Sequence, residues 1–429
     1  MRRARRAASS GASLEDAREV MRRCDVLAGI SSMEGGIERI YLSPEHAAAN
    51  AQASEWIEAA GMRAWQDAAG NVRGSYPGAT DDAPVLLLGS HLDTVPDAGR
   101  YDGILGVMIA IAVVRRLAAH GARLPFAIEV LGFADEEGVR YGRTLLGSCA
   151  VAGTWDPAWL DLEDADGVTM RDALTAFGLD PDAVGEAALD PATVVGYLEA
   201  HIEQGPLLFD AGRPLGVVSG IMGAKRFDLV MEGEAGHAGG VPMRHRRDAL
   251  LGAAETALAV EKVALARDVV GTVGELTVAP GAANVIPGRA EFSLDVRAAT
   301  DADRDKAWED IRAKALAAAG ERRLTFTERL RHEARATSTE RRLSEAIEHG
   351  VRAATGERDP MELLSKAGHD AMAIASLTSY AMLFVRNGNG GVSHHPDEVV
   401  TVEDVALAID AMEAAVLAVA QRMTDGSPL

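Results

Sequence analysis

One stretch, GSHLDTVPDAGRYDGILGV over 89–107, places His91, Asp93 and Asp102 within a dozen positions of one another. An imidazole serves best as a metal ligand when its other ring nitrogen is held. Asp93, two positions on and on the same side of an extended chain, can hold the N–H of His91. Asp102 reads either as a further ligand or as the N-cap of the helix that follows. Three more groups of the same chemistry lie downstream: DEEG at 135–138, His201 within YLEAHIEQGP, and His394 with His395 within NGNGGVSHHP. Imidazole with carboxylate is the ligand set of Zn²⁺, and Mn²⁺, Co²⁺ or Ni²⁺ suit the same cage. Five ligands (His, Glu, His, His and Asp102) are too many for one tetrahedral ion. They fit two divalent ions about 3.5–4 Å apart that share a carboxylate, so a two-metal hydrolase is expected.

These side chains meet only if the elements before them end in one place. Residues 85–88 form a short apolar run after Ala83-Pro84 and read as a buried parallel strand, from whose carboxyl end His91 emerges. A helix over about 103–120 leads to a second strand at 127–134, which ends in Asp135, Glu136 and Glu137. A lone DEEG also reads as a solvated turn. Its position at the same end of parallel strands as His91 favours a shared cleft. A third strand at 194–200 carries His201 at its end, and a fourth at 381–386 precedes the glycine-rich loop with His394 and His395.

A chain of 429 residues is ample for two or three domains, and 48% hydrophobic with 25% charged residues is ordinary globular composition. The net charge of −21 and a pI near 5.0 argue against a nucleic-acid partner, which would need a basic face. Cys24 and Cys149 are too few for a disulfide framework, so a reducing compartment is expected. The basic MRRARRAASS is followed by no apolar stretch of signal-peptide length, and no run approaches membrane-spanning length. It reads as a frayed tail on a cytoplasmic protein with no membrane partner. Helical spacing is present at 14–29 and 44–60. Strand-like runs at 226–231, 272–278, 290–296 and 324–328 alternate with helices at 247–267 and 302–319. That order is the signature of a ferredoxin-like α/β sandwich. The expectation is an α/β chain with a mostly parallel central sheet, in which a catalytic domain (14–215 and 332–429) is interrupted by a second domain at 216–331.

The motifs HLDTVP, YDG, DEEG, EAHIEQGP, GHAGGVPM, GAANVIPG, DVR, SKAGHDA and GGVSHHP occur in this order over about 20–420. In order and spacing they resemble the zinc-dependent aminoacylase and carboxypeptidase clan, and within it the amidase (hydantoinase/carbamoylase) branch. That branch includes allantoate amidohydrolase, N-carbamoyl-L-amino acid hydrolase and β-ureidopropionase. The resemblance implies that His91 and His201 bind one metal, Glu137 and His394 the other, and that Asp102 bridges. Glu136 would be the general base on a bridging water, with Asp93 behind His91. Gln204, His237, Asn284 and Arg297 match substrate-binding positions, and Gly368 with His369 lines the same pocket. The second domain would be lid and dimer surface, with His237 reaching the active site of a partner subunit. His395 stands where Asn is common, and Gly240 where Thr is common.

The chemistry also follows from elementary requirements. Hydrolysis of an amide or ureido carbon at neutral pH needs an acidified water, a carboxylate that moves its proton, and a donor for the oxyanion. Arg297 offers a fork for a substrate carboxylate, or else a salt bridge to Glu291 or Asp295; Asn284 is a second donor or a turn residue. RCDVLAGIS, YLSPEH and DEEGVRYGRTLLGS resemble allantoate amidohydrolases more than carbamoyl amino acid hydrolases, and that resemblance implies allantoate, a ureido carboxylate of purine catabolism, hydrolysed with release of ammonia and CO₂. An N-carbamoyl-L-amino acid or β-ureidopropionate substrate is the alternative. An aminoacylase or dipeptidase, or a non-catalytic metal-binding scaffold, follows behind.

Overall fold

The structure is a computed structural model that describes residues 11–426; the basic segment at 1–10 lies outside the described residues. The chain folds as two compact units, one running up to Ser219 and from Ser338 onward, the other Gly220–Thr337.

The first unit is built on a sheet that is nine-stranded among the described residues. Its centre is parallel, in the spatial order Ala127–Phe133, Val85–His91, Val194–Ile202, Tyr380–Val385. Antiparallel strands flank it, Val72–Tyr76 on one side and Leu215–Ile221 on the other. Parallel strands covered on both faces read as near-continuous apolar runs, as in Val85–His91, where six of seven residues are buried and only the carboxyl end, Ser90 and His91, is polar. The helix Ile104–Ala119 packs on three of these strands. It is buried nearly all round because the helices Gly11–Ala28 and Val402–Thr424 cover its other side. Each fully buried aliphatic side chain here stabilises the fold by about 1.5–3 kcal/mol.

The register sets the functional edge. His91 is opposite Phe133, so Asp135, Glu136 and Glu137 continue from the neighbouring strand just beyond it. His201 is opposite Phe384 and lies inside its strand, which runs two residues further than the sequence indicates. Asp102 is not the N-cap of Ile104–Ala119. That position belongs to Gly103, at φ 70° and with no side-chain cap. A Cβ at Gly103 would overlap the imidazole of His91. Only glycine therefore lets this turn approach the ring, and the Asp102 carboxylate is left for other partners.

The second unit carries a sheet in the order Leu276–Ala279, Arg289–Ala298, Gly223–Glu232, Thr325–Ala334, antiparallel throughout. Phe227, Leu229, Met231, Phe292, Leu294 and Val296 form its core with the helices Ala249–Arg267 and Asp301–Arg322. Asp248 and Thr300 cap those helices through their side chains. The run at 272–278 is not one strand. The Ser293 hydroxyl accepts the N–H groups of Gly274 and Glu275, which breaks the ladder into Val270–Thr272 and Leu276–Ala279.

Among the described residues no helix is long and apolar enough to cross a membrane.

Candidate metal centre

At the carboxyl edge of the parallel strands, His91 and His201 have their tautomers set by the backbone. His91 Nδ1 lies 3.1 Å from the carbonyl oxygen of Asp93, and His201 Nδ1 lies 2.9 Å from that of Ile202. A carbonyl only accepts, so each Nδ1 carries a proton and, in the neutral ring, each Nε2 presents a lone pair. Both lone pairs face Asp102 Oδ1, at 3.9 Å from His91 and 3.2 Å from His201. The other oxygen, Oδ2, lies 2.9 Å from His394 Nε2, which is itself 3.3 Å from Glu137 Oε1. Asp102 thus turns one oxygen to each half of the cluster, the arrangement a bridging carboxylate requires.

Three overlapping groups have ligand atoms within 4.8 Å of one another: His91, Asp102 and His201; His91, Glu136 and Glu137; Asp102, Glu137 and His394. Divalent cations fit this donor set. Among the described residues the buried Nε2 of His201 has no hydrogen-bond partner, and burial holds the ring at about 4, unprotonated at neutral pH. A lone pair facing a carboxylate oxygen at 3.2 Å is repulsive without a cation between them. At the other half, hydrogen bonds to Asp102 and then to Glu137 lift His394 to about 10, the signature of a site that draws positive charge. A fourth group, Glu199 with His201 and His369, competes for the same Nε2, since Nδ1 of His201 is taken by Ile202.

Asp93 organises the remaining carboxylates. Its Oδ1 accepts the Glu136 N–H at 3.0 Å and its Oδ2 the Glu137 N–H at 3.1 Å. Asp135, at φ 56°, turns the chain ahead of them. Glu137 reaches His394, while Glu136 is buried beside Gly368. Burial, and then the charge of Glu137, pushes the Glu136 carboxyl well above the ordinary range.

Gln204, at φ 55°, donates from Nε2 to both oxygens of Asp102 at 3.1 and 3.0 Å. His369 is 1% exposed, its ring centroid 4.4 Å from that of His201 and its Nε2 2.8 Å from Ser365 Oγ, so it backs His201 instead of lining open space. His395 is turned to Asp397, whose N–H its Nδ1 accepts, and it enters none of the ligand groups.

The second unit brings His237 and Asn284 together. Gly236–His237 pairs with Val285–Ile286, and the Asn284 carbonyl accepts the Ala238 N–H at 2.9 Å. His237 Nδ1 accepts the N–H groups of Gly239 and Gly240 at 3.1 and 3.0 Å, so in the neutral ring Nε2 is the donor. Arg297 makes the local alternative, a fork onto Asp295 with Nε and Nη2 at 2.9 and 3.0 Å.

Sequence reasoning missed Asn387, Ser393 and Glu398. Asn387 accepts the Gln204 N–H and donates to the Val392 carbonyl. Asn387 and Glu398 act on distant backbone and Ser393 on the Glu398 side chain, and the sole signal was their density of polar groups in and after a glycine-rich loop.

Residues 87–418 match the description Peptidase family M20/M25/M40. A probable allantoate deiminase of Oryza sativa subsp. japonica is 40% identical over 421 residues, covering 90% of this chain and 85% of that protein. An N-carbamoyl-L-amino acid amidohydrolase of Geobacillus stearothermophilus is 40% identical over 391 residues, covering 90% and 94%. The crystal structure of a hydantoinase/carbamoylase family amidase from Burkholderia multivorans matches with a TM-score of 0.85 at 29% identity, covering 96% of this chain and 98% of that one. With histidine–carboxylate groups that could hold metal and a family match over residues 87–418, the chain belongs to peptidase family M20/M25/M40.

Proposed function

We propose that this chain is a metal-dependent amidohydrolase that cleaves the ureido C–N bond of a small carboxylate, allantoate, with release of ammonia and CO₂. The observation that carries the metal chemistry is Asp102, with one carboxylate oxygen toward His91 and His201 and the other toward His394. His91 and His201 would hold one divalent ion and Glu137 and His394 the other, Zn²⁺ in the first instance. When bound, such a pair acidifies a water toward neutrality and polarises the scissile carbonyl.

The protein's own groups do the rest. Glu136, positioned through its backbone by Asp93, takes the proton of the attacking water and returns it to the leaving nitrogen. His237, its Nδ1 occupied by two backbone N–H groups, donates from Nε2 to the developing oxyanion. Asn284 beside it and the guanidinium of Arg297 receive the substrate carboxylate. Gln204 and Gly368 line the reacting end, and His369 keeps His201 in place. The domain at 216–331 acts as lid and dimer surface, so that His237 serves the partner subunit of a cytoplasmic homodimer.

The segments RCDVLAGIS and DEEGVRYGRTLLGS, and relatives named allantoate deiminase, support allantoate as substrate. The equally similar carbamoylase keeps N-carbamoyl-L-amino acids as the second reading. An ammonia-release assay on the metal-loaded protein, with allantoate, N-carbamoyl-L-amino acids and β-ureidopropionate side by side, decides between them. Turnover of allantoate at the highest kcat/KM is expected. Activity confined to the carbamoyl amino acids replaces the substrate, and activity on none of the three rejects the reading.

A further inference from the structure

Glu398 is an acid buried to 3% exposure that belongs to none of the ligand groups. A carboxylate withdrawn from water to this extent is tolerated only when its oxygens are satisfied. Here they are satisfied by the two segments that present metal ligands. Glu398 Oε1 accepts the N–H groups of Tyr101 and Asp102 at 2.8 and 3.1 Å. Its Oε2 accepts the hydroxyl of Ser393, the residue before His394, at 2.9 Å. The turn at Gly99 is shaped for it, because a Cβ there would overlap the Glu398 carboxylate. One side chain therefore fixes the backbone of Asp102 and the loop of His394, which are separated by almost 300 positions in sequence. Asp93 does the corresponding work for Glu136 and Glu137.

We propose that Glu398 is a positioning residue of the metal centre, holding Asp102 and His394 in the register that lets one carboxylate and one imidazole share an ion. The inference rests on the two-metal reading above, and names the residue on which the His394 half of that site depends. Supporting groups of this kind typically change metal affinity by about 10–100-fold.

The test is competition titration of Zn²⁺ or Co²⁺ against a chelating dye, without substrate, on the full chain. Glu398→Ala should weaken the more affected of the two ions by about 10–100-fold and the other, which shares Asp102, by less, with the far-ultraviolet circular dichroism unchanged. Glu398→Gln keeps a carbonyl oxygen for the Tyr101 and Asp102 N–H groups, and should restore most of the lost affinity. Should Glu398→Ala fail to fold, Ser393→Ala removes the bond to Glu398, together with the 3.4 Å contact of the same hydroxyl to Asp102 Oδ2, and should weaken the same ion. Wild-type affinity for both ions in Glu398→Ala, or in Ser393→Ala where that is the variant used, overturns the assignment. So does a Glu398→Gln variant as weak as the alanine. A wild-type protein that binds no metal instead rejects the two-metal reading itself.

Discussion

Glu136→Gln removes a proton acceptor and almost nothing else. The backbone N–H of residue 136 stays bonded to Asp93 Oδ1, and glutamine fills the same buried space beside Gly368. The ligand atoms of Glu137, His394, Asp102, His91 and His201 are untouched, so metal content should be unchanged. In the proposed mechanism what is lost is general acid–base catalysis, worth about 10²–10⁴ in rate, or roughly 3–5 kcal/mol of barrier at about 1.4 kcal/mol per tenfold. The carboxyl is pushed upward by burial and by Glu137, which suits a group that must both accept a proton and give it back. The assay is steady-state ammonia release, paired with elemental analysis of the dialysed protein. A fall in kcat with full metal content is expected. If the variant loses metal with its activity, Glu136 is a ligand and its role is exchanged with that of Glu137; an unchanged kcat removes it from catalysis altogether.

Mixed dimers test the origin of His237: with His237→Ala and Glu136→Ala co-expressed, random pairing and action in trans should restore roughly a quarter of wild-type activity by symmetry. A mixture no more active than its parents, with mixed dimers demonstrably present, would falsify the trans arrangement. Arg297→Ala should cost on the order of 2–5 kcal/mol in kcat/KM for an acid substrate and far less for its uncharged amide. Equal losses on both would mean that the fork onto Asp295 is the residue's whole role. His46, buried where its Nδ1 accepts the Leu42 N–H, is held at about 4 by burial, against 6.5 when exposed. Its folded pKa is lowered, so the unfolded chain binds more protons below 6.5, and stability present at neutral pH is lost as the pH falls toward 4. Urea unfolding of the metal-free protein should show a His46 contribution of about 2 kcal/mol between about pH 7 and about pH 5. An identical slope in His46→Gln would refute this.

The grouping of histidines and carboxylates at one sheet edge was legible because parallel strands buried on both faces read as short apolar runs, and a histidine or an acidic trio at the end of such a run stands out. The runs at 85–88 and 127–134 behave in this way. Arg63–Gln66 and Val72–Tyr76 were not visible, because RAWQ and VRGSY contain no such run. Arg73 is buried there against Glu129 and Asp67, partners that only the folded sheet supplies. The N-cap alternative for Asp102 failed for a related reason: spacing cannot reveal that the ring of His91 leaves room only for Gly103. Whether His394 or His395 faces the carboxylates depends on the left-handed turn at His394, φ 53°, which no spacing rule indicates. Glu398 and Asn387 were hidden because their bonds reach backbone far away in sequence.

Anomalous diffraction from metal-loaded crystals, collected at the absorption edge of the bound ion, tests the central claim most directly. The account predicts two peaks about 3.5–4 Å apart with the Asp102 carboxylate between them, one beside His91 and His201, the other beside Glu137 and His394. A single peak, or a peak held by Glu199, His201 and His369 with Asp102 uninvolved, would contradict it.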